Sequence, residues 1–252
     1  MTAPPTDDHA DAARYAQSAG EVLLALRDDD SRPPWALGDA GDAVANRHLL
    51  DVIHAEHPHD RVLSEESADD RRRLEADRVW IIDPLDGTRE YTEPGRTDWA
   101  VHVALWERGQ GLTAGAVALP AVGIVLSTGE PPVVPPIDGR PIRIVVSRSR
   151  APAVALRVAA GLDAELVHLG SAGAKTMAVV LGHVDAYVHG GGQYEWDSAA
   201  PAVVAQFAGL FTSRLDGSPL VYNNADPYLP DLLICRPELA DAALAALAAF
   251  EG

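Results

Sequence analysis

Apolar residues recur along the chain at two spacings, and these divide it into elements. Ala12, Tyr15, Ala16, Ala19, Val22, Leu23 and Leu26 fall at helical intervals and predict an amphipathic first helix behind a frayed tail at residues 1–8. Residues 28–34 break it. A second helix is expected from about Gly41, with Val44, Ala45, Leu49, Val52 and Ile53 on one face. Short apolar runs at 61–64 and 79–82 read as strands, separated by an acidic, arginine-rich segment expected to form a solvated turn or short helix. The run 99–106 is apolar at both parities, as in a strand covered on both faces. Strands at 115–119 and 122–126 then suggest an antiparallel meander.

Residues 129–136 carry four prolines, and Asp138-Gly139 adds a turn, placing a domain boundary near 135–140. Beyond it the rhythm alternates. Strands are expected at 142–146, 166–169, 186–189 and 232–235, and helices at 151–160, 172–181, 198–209 and 237–250. The expectation is an α+β domain over 1–137 followed by an α/β domain over 138–252.

Composition narrows the partners. A formal charge of −17 argues against nucleic-acid polymers and anionic membrane surfaces. No apolar run reaches the roughly 18 residues that span a bilayer, and residues 1–11 lack a basic-then-apolar export pattern. The single cysteine, Cys235, excludes an internal disulfide, follows Leu232-Leu233-Ile234 as a buried strand residue would, and fits a reducing cytoplasm. The histidines show no metal-ligand spacing, and His183 and His189 read as surface or packing residues. Trp35, Trp80, Trp99 and Trp106 are expected in the core, and Trp196 either packs or lines a site.

The candidate chemistry is acidic. In Trp80-Ile81-Ile82-Asp83-Pro84-Leu85-Asp86-Gly87-Thr88-Arg89-Glu90 an apolar strand ends in a proline turn, because Pro84 cannot donate to a sheet ladder. Asp86, Gly87 and Thr88 then suggest a helix start, where unpaired N–H groups favour an anion. Glu65 and Glu66 follow the strand at 61–64, Asp39 and Asp42 precede the second helix, and Asp197 stands where an alanine-rich helix begins. Taken singly, Asp42 and Asp197 are helix caps; Asp83 has no helix to cap. Should Glu65, Asp83, Asp86 and Asp197 converge, cations must accompany them, since crowded carboxylates raise one another's pKa. Oxygen ligands without cysteine or paired histidine select Mg²⁺ or Mn²⁺ over Zn²⁺. Two divalent ions balance four carboxylates and let an acidic protein accept a phosphate.

Three motifs, in order, resemble the lithium-sensitive, Mg²⁺-dependent phosphomonoesterase family of inositol monophosphatase, fructose-1,6-bisphosphatase and the 3′(2′),5′-bisphosphate nucleotidases. They are Ser64-Glu65-Glu66, Asp83-Pro84-Leu85-Asp86-Gly87-Thr88 and Trp196-Asp197-Ser198-Ala199-Ala200. The resemblance implies a layered αβαβα sandwich. It implies two or three Mg²⁺ ions (Mn²⁺ as a substitute) on Glu65, Asp83, Asp86, Asp197 and the Leu85 carbonyl, with phosphate on Gly87 and Thr88. Asp42 and Thr88, with Glu65, are then the catalytic groups that orient and deprotonate a water whose pKa the metal lowers. Glu66 stands behind them.

Arg89-Glu90-Tyr91, Gly38-Asp39-Ala40-Gly41, the segment from Gly170 to Lys175 and Gly191-Gly192-Gln193-Tyr194-Glu195-Trp196 look like the CysQ-type nucleotidases, particularly actinobacterial ones. Arg89 and Lys175, with Asp86 and Asp197, then bind substrate, and Ser147-Arg148-Ser149-Arg150 offers further cations for a second phosphate. The implied reaction releases the 3′-phosphate of adenosine 3′,5′-bisphosphate (PAP), or of its sulfated form PAPS. Alternatives are a phosphatase for inositol or fructose phosphates, and a non-catalytic metal- or phospholigand-binding protein. The Asp42–Thr88 pair argues against the last. A homodimer is left open.

Overall fold

The computed structural model describes residues 7–29 and 33–249. Most of the expected tail, and the last residue of the expected terminal helix, Phe250, lie outside them. Helix α1 (Asp8–Arg27) opens where the Asp7 carboxylate accepts the Ala10 N–H. Helix α2 spans Leu37–Glu56, so it begins before Gly41, and Asp39 and Asp42 lie inside it rather than ahead of it. Asp42 is therefore no cap.

The first sheet runs β1 (Arg61–Ser64), β2 (Arg78–Asp86), β3 (Ala100–Glu107), β4 (Gly111–Leu119) and β5 (Ile124–Ser127), neighbours in that order. β1 pairs parallel to β2, and the rest form the antiparallel meander. β2 does not stop at Pro84. Its ladder with β3 breaks between Asp83↔His102 and Asp86↔Ala100, so the proline occupies a bulge and the strand resumes beyond it. The short helix α3 (Thr88–Thr92) follows at once.

The second sheet is ordered β7 (Glu165–Leu169), β6 (Arg143–Ser147), β8 (Ala186–Tyr194), β10 (Tyr228–Cys235) and β9 (Phe211–Ser213). β6 pairs parallel with β7 and β8, whereas β8–β10 and β10–β9 are antiparallel. β9 escapes sequence analysis because three residues show no periodicity. Helices α4 (Ala153–Gly161), α5 (Ala172–Val180), α6 (Glu195–Phe207) and α7 (Ala240–Ala248) complete the chain. α6 starts three residues earlier than expected, which puts Asp197 in its first turn.

Strand parity assigns the layers. On β2, Trp80 and Ile82 join α1 and α2 in one core, while Val79 and Ile81 face α5 and α6 in another. On β6, Val145 meets that same middle layer, whereas Ile144 and Val146 pack against α4 and α7. The order is helices, sheet, helices, sheet, helices: the αβαβα sandwich. The middle layer is largely apolar because it touches sheets on both sides, and every residue of α5 is buried, Lys175 and Thr176 included.

Two expectations fail here. Trp35 is 84% exposed, whereas Trp80 and Trp99 are fully buried and Trp106 packs at the core edge. In the arginine-rich segment, Arg73 is fully buried. Its guanidinium bonds Asp69, the Asn223 side chain and the Asn224 carbonyl, tying the first half to the second.

Candidate active site

The acidic centre forms where β2 bulges against β3 and the middle helices. Asp83 shares the parity of Val79 and Ile81 and so points toward α5 and α6. The bulge lets Asp86 face the same side. Asp197 arrives from the first turn of α6, and ligand oxygens of Asp83, Asp86 and Asp197 lie within 4.8 Å of one another. Asp197 also accepts the Tyr194 N–H at 2.6 Å, so it caps α6 and joins the site at once. Glu65 and Glu66 keep exposed surface just beyond β1, outside that tight group.

Each carboxylate is held differently. Asp83 is 1% exposed, and its Oδ1 accepts the Leu85 N–H at 3.1 Å. Its Oδ2 is buried without a hydrogen-bond donor. Burial, then the neighbouring Asp86 and Glu65, push its pKa well above the usual range. Burial and the other acids also raise Glu65 to about 7 and Asp197 to about 6.

Asp86 goes the opposite way. Burial is outweighed by His102, Lys175 and the Ser171 hydroxyl, which hold its pKa down. The N-terminus of α5 closes on it: Ser171 Oγ and the Gly173 N–H donate to Oδ2 at 2.5 and 2.6 Å, and the Ala172 N–H to Oδ1 at 3.0 Å. The second half of the chain is thereby anchored to an acidic residue of the first.

Two glycines permit this geometry. Gly87 turns the chain from β2 into α3 with φ +89°. A Cβ on Gly173 would fall 2.1 Å from His102 Nε2, so only glycine lets α5 approach β3 this closely.

His102 is the site residue that sequence analysis missed. It pairs with Asp83 across the ladder, is fully buried, and places Nε2 3.1 Å from Asp86 Oδ2; Nδ1 meets the Trp196 carbonyl at 3.0 Å. Burial lowers its pKa, but Asp86 more than offsets this and the net shift is upward. One imidazole within the otherwise apolar run of β3 was the available signal.

Asp42 and Thr88 meet as expected. Thr88 Oγ1 lies 3.3 Å from both Asp42 Oδ1 and the Leu85 carbonyl, so one hydroxyl proton has two acceptors. Burial and Glu66 raise Asp42 to about 7, although the Thr88 hydrogen bond opposes this.

The cations proposed for a second phosphate are placed differently from the sequence expectation. Lys175 is buried, donates to the Gly170 carbonyl at 3.0 Å, and lies over the Tyr187 ring. Burial lowers its pKa, and Asp86 acts against that. Arg148 pairs with Glu90 and Glu93, both at 2.8 Å. Arg89 is exposed, 3.9 Å from Glu93.

The donor set fits a hard divalent cation. Three converging carboxylates, one carrying a buried oxygen with no donor, form an oxygen-rich cluster whose negative charge His102 and Lys175 offset mainly at Asp86. Fold and centre together define a layered αβαβα protein with an acidic centre suited to a divalent cation. A family model described as the inositol monophosphatase family matches residues 27–131 and 136–250, and the chain belongs to that family. The 3′-phosphoadenosine 5′-phosphate phosphatase of Mycobacterium bovis is 55% identical over 241 residues, covering 91% of this chain and 89% of the relative. Its Mycobacterium leprae counterpart is 54% identical over 245 residues, covering 92% and 90%. The crystal structure of CysQ from Bacteroides thetaiotaomicron superposes with a TM-score of 0.75 at 26% identity, covering 90% of this chain and 96% of that one.

Proposed function

We propose that the protein is a Mg²⁺-dependent phosphomonoesterase that hydrolyses the 3′-phosphate of PAP to give AMP. The observation that carries the reading is near-full-length 55% identity to PAP phosphatases in a chain whose Asp83, Asp86 and Asp197 converge. We assign Glu65, Asp83, Asp86, Asp197 and the Leu85 carbonyl as the residues that hold two or three Mg²⁺ ions, with Mn²⁺ a chemically similar substitute. When bound, the cations neutralise the carboxylates, bind the phosphate and lower the pKa of water.

The chain's own groups do the rest. Asp42, with a pKa near neutrality, suits a base that accepts the Thr88 hydroxyl proton while Thr88 takes one from the attacking water. Glu65, at a similar pKa, is assigned to orient that water. The water oxygen bonds to phosphorus as the bond to the ribose 3′-oxygen breaks, and solvent protonates the leaving oxygen. Gly87 and Thr88 offer N–H groups to the phosphate, with Asp86 and Asp197 beneath it. Lys175, whose charge acts on Asp86, and the exposed Arg89 supply positive charge for the substrate.

Phosphate release from PAP, PAPS, inositol 1-phosphate and fructose 1,6-bisphosphate, with and without EDTA, tests the reading. PAP is expected to give the highest kcat/KM and EDTA to abolish it. Faster turnover of inositol 1-phosphate overturns the substrate assignment. No turnover of any of the four favours a binding protein.

A further inference from the structure

Three aromatic rings gather beside the acidic centre, and no step of the phosphate chemistry uses them. Tyr194 ends β8 and Tyr228 begins β10, directly opposite in the ladder. Tyr194 stacks on Trp196 with centroids 4.8 Å apart and planes within 10°. Tyr228 meets Tyr194 edge-on at 6.0 Å. Tyr194 and Tyr228 remain 45% and 48% exposed, although Trp196 is partly buried. Single exposed aromatics are ordinary, but a contiguous group leaves much apolar surface in water unless a ligand covers it.

Backbone contacts fix this ledge relative to the reacting phosphate. The Tyr194 N–H donates to Asp197 Oδ2, and the Trp196 carbonyl meets His102 Nδ1. The ledge therefore begins at the very residues that complete the acidic centre. Gly192 makes room for it: a Cβ there would fall 2.2 Å from the Tyr228 hydroxyl, and its φ of +86° suits glycine. The Gly-Gly-Gln-Tyr-Glu-Trp segment is thus a device for presenting rings.

We infer that Tyr194, stacked on Trp196 and braced by Tyr228, is a specificity-determining residue that binds the purine base of the substrate. The inference rests on the proposed nucleotidase function and deepens it. With the 3′-phosphate at the carboxylates, the base lies one ribose away, and Tyr194 is the exposed ring whose own N–H is bonded to Asp197. A flat heteroaromatic base stacks on a tyrosine face, whereas an inositol ring presents no π-face. The base is also uncharged, so this strongly acidic protein does not repel it.

Wild type, Tyr194→Ala and Tyr194→Phe, all saturated with Mg²⁺, are compared on PAP and on inositol 1-phosphate. The ratio of the two kcat/KM values is expected to fall at least about tenfold in Tyr194→Ala, through KM for PAP, and to recover in Tyr194→Phe. An unchanged ratio, including an equal loss on both substrates, overturns the inference and assigns Tyr194 to supporting Asp197. Calorimetric binding of AMP against ribose 5-phosphate gives a readout independent of turnover. Wild type is expected to prefer AMP, and Tyr194→Ala to lose that preference. No preference in wild type overturns the ledge. Failure to hydrolyse PAP with the AMP preference intact overturns the nucleotidase reading and leaves the ledge standing.

Discussion

Asp83 presents the sharpest energetic conflict in the molecule. Its carboxylate is buried, one oxygen lacks a donor, and two further acids crowd it. Replacing it with asparagine removes the charge that a cation requires. Asp83→Asn is expected to lower kcat/KM roughly 10³-fold, a loss of about 4 kcal/mol in transition-state stabilisation. Circular dichroism is expected to show an intact fold, and the metal-free variant should melt no lower than metal-free wild type. A loss of fold would make Asp83 structural.

His102 tests a different idea, that an imidazole sets the state of Asp86. His102→Gln keeps a polar group of similar reach but no cation. The Mg²⁺ concentration giving half-maximal activity is expected to rise about 10- to 100-fold, as for other groups that orient metal-binding residues. An unchanged activation constant with lowered kcat would argue for direct action on substrate.

At the level of elements, α5 does something its sequence does not announce. Its first N–H groups are taken by Asp86. The helix braces the Asp86 carboxylate. Gly173→Ala is a direct test. Alanine ordinarily favours a helix over glycine, but here the new methyl meets a ring fully buried between two layers. Expected results are a destabilisation of about 1–3 kcal/mol in urea unfolding and a parallel fall in activity. A stabilised, fully active variant would show that His102 yields freely.

The elements themselves were largely legible, and their errors share a cause. Helical and strand periods mark α1, β3 and the middle helices because burial on one or both faces dictates residue type. Boundaries slipped where geometry overrode local preference. Pro84 reads as a stop, but in a bulge its missing N–H costs nothing, so β2 runs on to Asp86. The start of α2 was misplaced because no side chain caps it.

On the scale of the whole molecule, stability without metal must depend on pH. Asp42, Glu65, Asp83 and Asp197 have folded pKa values above their ordinary range. The folded chain therefore binds more protons than the unfolded one between about pH 4 and about pH 7, and stability falls as pH rises through that window. Asp86 has the opposite sign, but its shift acts below that range. In EDTA the melting temperature is expected to drop from about pH 5 to about pH 7.5. Mg²⁺ is expected to restore it, with an increment that grows with pH because cations favour the ionised carboxylates. An increment independent of pH would place the cation away from these groups. Scanning fluorimetry across the range measures both.

By itself the sequence determined the family and which acids are candidates. Asp83-Pro84-Leu85-Asp86-Gly87-Thr88, Glu65 and Asp197 name the acids, and periodicity supplies the strands and helices that carry them, because both signals are local. Tertiary structure decided what depends on distance. It brought Asp197 to Asp83 and Asp86, inserted His102, seated Lys175 over Tyr187, paired Arg148 with Glu90 and Glu93, and stacked Tyr194 on Trp196. None of these contacts follows from spacing along the chain. They arise because two sheets share one helical layer, and that layer's approach sets which charges are buried together.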